Sequence, residues 1–161
     1  MATNGEIPAF IGVDPGASGG IAVVWRSGQA EAWAMPDSGH GVLSLIEDIL
    51  DTYDLHMGVV EQVGPMPGQG VTSMFNFGRA YERVRMGLSA HKIPFESVVP
   101  RKWQAALGIV KRGSDETKTQ FKNRLKQRAQ ELYPNLKVTL KTADALLIAT
   151  YCMRTHDTPR L

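Results

Sequence analysis

An α/β domain, one mixed sheet with helices on its faces, is what the sequence predicts. Three observations carry this. The chain opens with three short β-rich runs joined by tight turns, an antiparallel meander. Strand-like and helical periodicities then alternate, as they do when helices cover a sheet containing parallel strands. The 161 residues are 43% apolar, enough for a core and of a size for one domain spanning 1–161.

The elements follow in order. Residues 9–14 (AFIGVD) are a short apolar run halted by Pro15-Gly16, a buried strand and its turn. Residues 20–25 (GIAVVW) form the second strand, Ser27-Gly28 a turn, and residues 30–35 the third strand. Val42, Leu45, Ile46, Ile49 and Leu50 recur at helical spacing and predict a helix over 41–53. Residues 57–63 (MGVVEQV) read as a central strand, parallel to the first through a right-handed crossover. A Pro-Gly loop, 64–70, leads to a helix over 71–90, whose Met74, Phe77, Tyr81, Val84 and Leu88 form an apolar stripe. Residues 94–99 are a strand, and Pro100 starts a short helix closed by Gly108. A helix over 114–132 opens at Ser114, with Thr117 in the capping-box position and Lys118, Lys122 and Lys126 along one edge. The last helix covers 142–155 with Thr142 as its N-cap. The ends, 1–8 and 156–161, are expected to be flexible.

Composition narrows the function. Cys152 is the single cysteine, which excludes a disulfide framework and a cysteine-built zinc site and points to a reducing, cytoplasmic setting. No apolar run reaches the roughly 18 residues of a membrane span. The N-terminus MATNGEIPAF has no basic residue and no signal-peptide core. The net charge of +2 hides an asymmetry: residues 1–60 hold eight acidic residues and one basic, while 101–128 hold nine basic and two acidic. Such a split suits one region meeting a polyanion while another keeps carboxylates for a different purpose. A solvated basic helix and loop is the plainer account.

Three carboxylates have places to go. Asp14 closes the first strand within IGVDPGASGG; an aspartate before Pro-Gly is also a common turn residue. Glu61 lies within the apolar VVEQV, where a carboxylate must be paired, protonated or metal-bound unless it points outward. Asp144 sits in the first turn of TADALLIA, where an aspartate also offsets the helix dipole. The first and fourth strands should be neighbours, and the last helix can cross their ends. Three converging carboxylates need cations, and hard oxygen ligands favour Mg²⁺ or Mn²⁺. Two such ions about 4 Å apart can activate water and stabilise a leaving oxygen in phosphodiester hydrolysis.

The ordered segments IGVDPG, VVEQV, FGRAYERV, VVPRKWQAALGI and KTADALLIA, spread over about residues 9–155, resemble the RuvC-like Holliday junction resolvases, particularly bacteriophage forms. The resemblance implies a ribonuclease H-like fold with a central five-stranded sheet. It implies a homodimer that places symmetric nicks in four-way DNA junctions with divalent metal. It assigns Asp14, Glu61 and Asp144 as catalytic metal ligands, and Lys118, matching a family lysine near the active site, as the catalytic lysine that contacts the scissile phosphate. One position departs: cellular members usually carry an acidic residue or histidine three positions before the last aspartate, where this chain has Lys141. Lys141 would then orient the phosphate, stabilise transition-state charge or simply face DNA; His156 and Asp115 are candidates for a substitute ligand. The resemblance also places the 64–70 loop at the junction crossover, with Gln69 and Phe75 offered to DNA and Phe75 able to stack on an opened base. Lys102, Lys111, Arg112, Lys122 and Lys126 are expected backbone contacts, and Arg79 and Arg83 lesser ones. The stripe Met74, Phe77, Tyr81, Val84 and Leu88 resembles the family's dimer helix, although packing on its own sheet suits the same spacing.

Rival readings differ in class. An actin- or sugar-kinase-like ATPase begins with a similar strand, aspartate and glycines, but needs two such domains, more than 161 residues allow. A non-catalytic nucleic-acid-binding domain has no use for Glu61 in an apolar strand. A ribonuclease H acting on RNA–DNA hybrids, or a broader branched-DNA and flap endonuclease, would share the metal site and differ in substrate.

Overall fold

The computed structural model describes residues 7–157. Its elements run β1 (Ile7–Asp14), β2 (Gly20–Trp25), β3 (Ala30–Ala34), α1 (Gly39–Thr52), β4 (Tyr53–Glu61), α2 (Val71–Ala90), β5 (Phe95–Val98), α3 (Pro100–Ala106), α4 (Lys118–Leu132) and α5 (Ala143–His156). They form a five-stranded sheet in the order β3-β2-β1-β4-β5. The β1–β2 and β2–β3 pairs are antiparallel, whereas β1–β4 and β4–β5 are parallel. This is the mixed sheet the sequence predicts: a meander followed by parallel strands.

Each side of the sheet has its own core. Alternation along β1 sends Ala9, Ile11 and Val13 to one side, where Val42, Ile46 and Ile49 of α1 and Val84 and Leu88 of α2 meet them. Phe10 faces the other side, with Val59 of β4, Trp103 of α3, Leu125 and Ala129 of α4, and the run Ala145–Ala149 of α5. A run buried all round, Ala143 to Cys152, marks α5 as the central helix of that layer. Gly12 is what lets α5 approach: a Cβ there would lie 2.2 Å from the Ala149 nitrogen. Close contact at Gly12 fixes the first turn of α5 beside the end of β1.

Several boundaries differ from expectation. Strand β4 begins at Tyr53 and ends at Glu61, earlier than the expected 57–63, because Tyr53 and Leu55 point inward while Asp54 and His56 interrupt the apolar pattern. Helix α4 starts at Lys118, not Ser114. Thr117 is its N-cap, accepting from the Gln120 amide at 3.1 Å while Gln120 Oε1 accepts from the Thr117 amide at 2.8 Å. Thr142 holds the N-cap position of α5, but its side chain accepts from the Thr139 amide and makes no capping bond. Of the ends expected to be flexible, 1–6 and 158–161 lie outside the described residues. Ile7 and Pro8 belong to β1, and His156 ends α5 bonded to Glu96 at 3.1 Å. Among the described residues no helix is long and apolar enough to cross a membrane.

Candidate active site

The carboxyl ends of β1 and β4 build the site. Their parallel register pairs Val13 with Val60, so Asp14 and Glu61 stand one residue further on at neighbouring strand ends. Alternation directs both toward the α5 layer, since Phe10 and Val59, an even number of residues before them, lie in that core. Asp144, in the first turn of α5, arrives over the same end. The three carboxylates are close enough to repel one another. The structure thus brings the three to one end of the sheet.

Their environments are unequal. Asp144 is only 4% exposed; Oδ2 accepts from Lys122 Nζ at 2.5 Å, and Oδ1 is buried without a partner. Glu61, 8% exposed, accepts at Oε2 from the Trp103 indole N–H at 2.7 Å. Burial, then repulsion by Asp14 and Asp144, pushes Glu61 up to about 8; the Trp103 bond and Lys122 oppose this. Asp14 rises to about 6 by burial and then by the Asp144 charge, against Lys122 and the Gly16 amide. Burial alone would lower the Lys122 ammonium, but the charge and hydrogen bond of Asp144, then Asp14 and Glu61, hold it above its ordinary value. Gly19 seats the turn against Asp14, since a Cβ there would lie 2.7 Å from the Asp14 carboxyl carbon.

A cleft of about 610 Å³ opens over this end, lined by Asp14, Gly16, Gly19, Phe77, Lys122 and Lys141 among others. Asp14 is the carboxylate on its lining; the three carboxylates at this end offer hard oxygens, and Asp144 Oδ1 is a buried acceptor with no partner among the described residues. In kind this set fits Mg²⁺ or Mn²⁺. Among the described residues, however, no three acidic, histidine or cysteine side chains are arranged to ligate one ion as they stand.

Other expected site residues spread outward. Lys141 is exposed on the cleft wall. Lys118 is exposed at the first position of α4, one turn before Lys122; the turn that reaches the carboxylates is that of Lys122. Lys102 is exposed on α3, and Lys111 and Arg112 on the α3–α4 loop. Lys126 is half-buried further along α4. Phe75 is 65% exposed with the Arg79 guanidinium 5.6 Å from its ring centre. Gln69 braces its own loop, accepting from the Met66 amide and donating to Ser73. Arg83 is half-buried against the Asp37 carbonyl.

The dimer stripe needs correction. Val84 and Leu88 are 1% and 0% exposed within their own core, so no partner can reach them. Tyr81 is half-buried and donates to Ser97 at 2.7 Å, fastening α2 to β5. Phe77 walls the cleft, and Met74 is half-buried. The substitute ligands also fail on position: Asp115 is exposed in a loop, and His156 lies at the far end of α5 from Asp144, roughly 18 Å away along the axis. Sequence reasoning missed Trp103. A buried indole is a donor in need of an acceptor, as a buried Glu61 is an acceptor in need of a donor; that complementarity was the available signal.

No protein-family model matches the sequence, and no curated protein matches it significantly. Solved structures do. Thermus thermophilus RuvC in complex with a Holliday junction substrate superposes with a TM-score of 0.61 at 16% identity, covering 91% of this chain and 95% of that one. A Thermus thermophilus RuvC structure gives 0.61 at 17% identity, covering 91% and 96%. The chain therefore has a RuvC-like, ribonuclease H-like fold.

Proposed function

We propose that this protein is a metal-dependent, structure-selective DNA endonuclease that resolves four-way junctions by phosphodiester hydrolysis, working as a homodimer that nicks two strands symmetrically. The observation that carries the reading is the gathering of Asp14, Glu61 and Asp144 at one end of the sheet, under a cleft that Asp14 and Lys122 line. Such a concentration of buried negative charge weakens a fold and is expected where cations serve chemistry. The RuvC-like fold and the neighbour solved with a Holliday junction support the substrate class.

Asp14, Glu61 and Asp144 would hold the divalent ions, two in number and Mg²⁺ or Mn²⁺ in kind. Bound there, such ions supply an activated water and stabilise charge at the phosphate and the departing 3′ oxygen. The chain's own residues do the rest. Trp103 fixes the Glu61 carboxylate by its indole bond. Gly19 and the Gly16 amide hold the Asp14 turn. Lys122 and Lys141 bring positive charge to the cleft wall, where a scissile phosphate needs it. Lys118, Lys102, Lys111, Arg112 and Lys126 grip flanking phosphates, and Phe75 with Arg79 offers a stacking platform at the crossover. A second site for the opposite strand comes from a second copy, and two-fold symmetry of enzyme and junction would correspond. Sedimentation at micromolar concentration should show the dimer; a persistent monomer contradicts paired nicking.

The direct test incubates the protein with a labelled four-way junction, a flap and an RNA–DNA hybrid, each with Mg²⁺, Mn²⁺ or EDTA. Cutting of the junction with metal and none in EDTA is expected. Preferred cutting of the flap or the hybrid reassigns the substrate. Binding without cutting under every condition makes this a nucleic-acid-binding module instead.

A further inference from the structure

Lys122 differs in kind from the arginine pair beside it on the same helix. Arg124, two residues on, clamps Glu116 with two bonds of 2.9 and 3.0 Å. That fork is suited to a permanent join. Lys122 makes one bond, at 2.5 Å, to Asp144 Oδ2, and no other hydrogen bond among the described residues. Its side chain is 52% exposed while that of Asp144 is 6% exposed. A flexible four-carbon stem therefore carries a point charge from solvent to a buried carboxylate and can carry it back. The second oxygen of Asp144 is buried with no hydrogen-bond partner among the described residues, so the lysine satisfies only half of the carboxylate.

We infer that Lys122 is a stand-in cation: it holds Asp144 in the metal-free protein, and Asp144 exchanges it for the divalent ion, releasing the ammonium into the cleft beside Lys141. This rests on the metal-site reading of the proposed function. The stand-in has two physical consequences. It lowers the repulsion among Asp14, Glu61 and Asp144 when no metal is bound, so the empty centre stays folded. It also competes with the metal for Asp144 Oδ2, so the chain binds metal less tightly than the same carboxylates would without it. A lysine with a purely structural role predicts the reverse, because its loss would disorder Asp144 and weaken metal binding.

The test is calorimetric titration of Mn²⁺, without DNA, into the full chain and into Lys122→Gln, Lys122→Arg and Asp14→Asn. Lys122→Gln is expected to bind Mn²⁺ about tenfold more tightly, in the range of one site-to-site coupling. Lys122→Arg, which keeps a competing cation, should bind no more tightly than the parent, and Asp14→Asn should bind more weakly. Equal or weaker binding by Lys122→Gln, with Asp14→Asn still impaired, overturns the stand-in and leaves the metal site in place. Absence of binding in every protein overturns both. Should Lys122→Gln not fold, nitrogen-15 resonances of lysine ammonium groups in the parent chain decide, with Lys122 assigned by its absence from Lys122→Arg. The Lys122 signal should move as Mg²⁺ is added, and a signal that stays fixed to saturation rejects the exchange.

Discussion

Two sets of carboxylates on this molecule live in opposite conditions. Glu116 and Asp157 lie half-buried at the surface, and each is bonded by an arginine, Arg124 and Arg26. Hydrogen bonding by those arginines holds both below their ordinary values. Asp14, half-buried, and Glu61, buried, stand at strand ends; desolvation pushes them up to about 6 and about 8, helped by repulsion from Asp144 on Asp14 and from Asp14 and Asp144 on Glu61. Surface charge is thus matched partner by partner. At the carboxyl end of the sheet three carboxylates gather, and among the described residues Lys122 is the one cation hydrogen-bonded to them. On the proposed reading the sheet end trades stability for chemistry: the surface pairs could vanish with little effect, whereas the gathered set is a cost that Lys122 and protonation relieve in part and a bound divalent cation would relieve further.

That contrast can be strained from its strongest point to its weakest. Trp103→Phe removes the donor to Glu61 while keeping most of the fill, and should reduce junction cleavage about 10- to 100-fold, the range for losing a group that orients a ligand. Cleavage unchanged in a gel assay would detach Trp103 from the site. The pH dependence of melting comes next. Because Asp14 and Glu61 are raised in the fold, the unfolded chain releases their protons first. Stability from these two groups therefore falls as pH climbs from about 4, and the fall is complete only above about 8, past the folded value of Glu61. Glu61→Gln should flatten the decline between pH 5 and 8 and raise the melting temperature at pH 8 by roughly 3–8 °C. A lower melting temperature in Glu61→Gln would contradict the strained-charge account. Glu116 and Asp157 work the other way, their contributions present at neutral pH and lost as pH falls below the ordinary carboxylate range. At the weak end, Lys102→Ala with Lys111→Ala should lower the salt slope of junction binding by about 2, one per phosphate contact. Glu116→Gln should leave melting within about 2 °C of the parent.

Much of this contrast is legible in the chain alone, for physical reasons. Element order follows from hydrophobic period, which is local; thus Gly20–Trp25 and Val71–Ala90 appear where the pattern puts them. The early start of β4 is hidden because a bulge at His56 switches faces: Tyr53 and Leu55 join one core, Met57 and Val59 the other, so no single alternation runs through the strand. The three carboxylates are readable because each ends or begins an element that the topology brings to one edge. Which lysine serves them is not, since Lys118, Lys122 and Lys126 occupy equivalent steps on one helix edge and only the packing of α4 on α5 chooses. The stripe of α2 is ambiguous in the same way. Val84 and Leu88 satisfy the spacing of an interface and of a core alike, and the sheet claims them. The bond from Trp103 to Glu61 spans 42 residues, beyond any local pattern.

The central claim is that Asp14, Glu61 and Asp144 cut DNA rather than merely shape a surface for it. Asp14→Asn tests it most directly, with binding and cleavage of a labelled four-way junction measured on the same samples in Mn²⁺. Binding should stay within a few-fold of the parent while cleavage falls on the order of 10³-fold. Undiminished nicking by Asp14→Asn would contradict that claim.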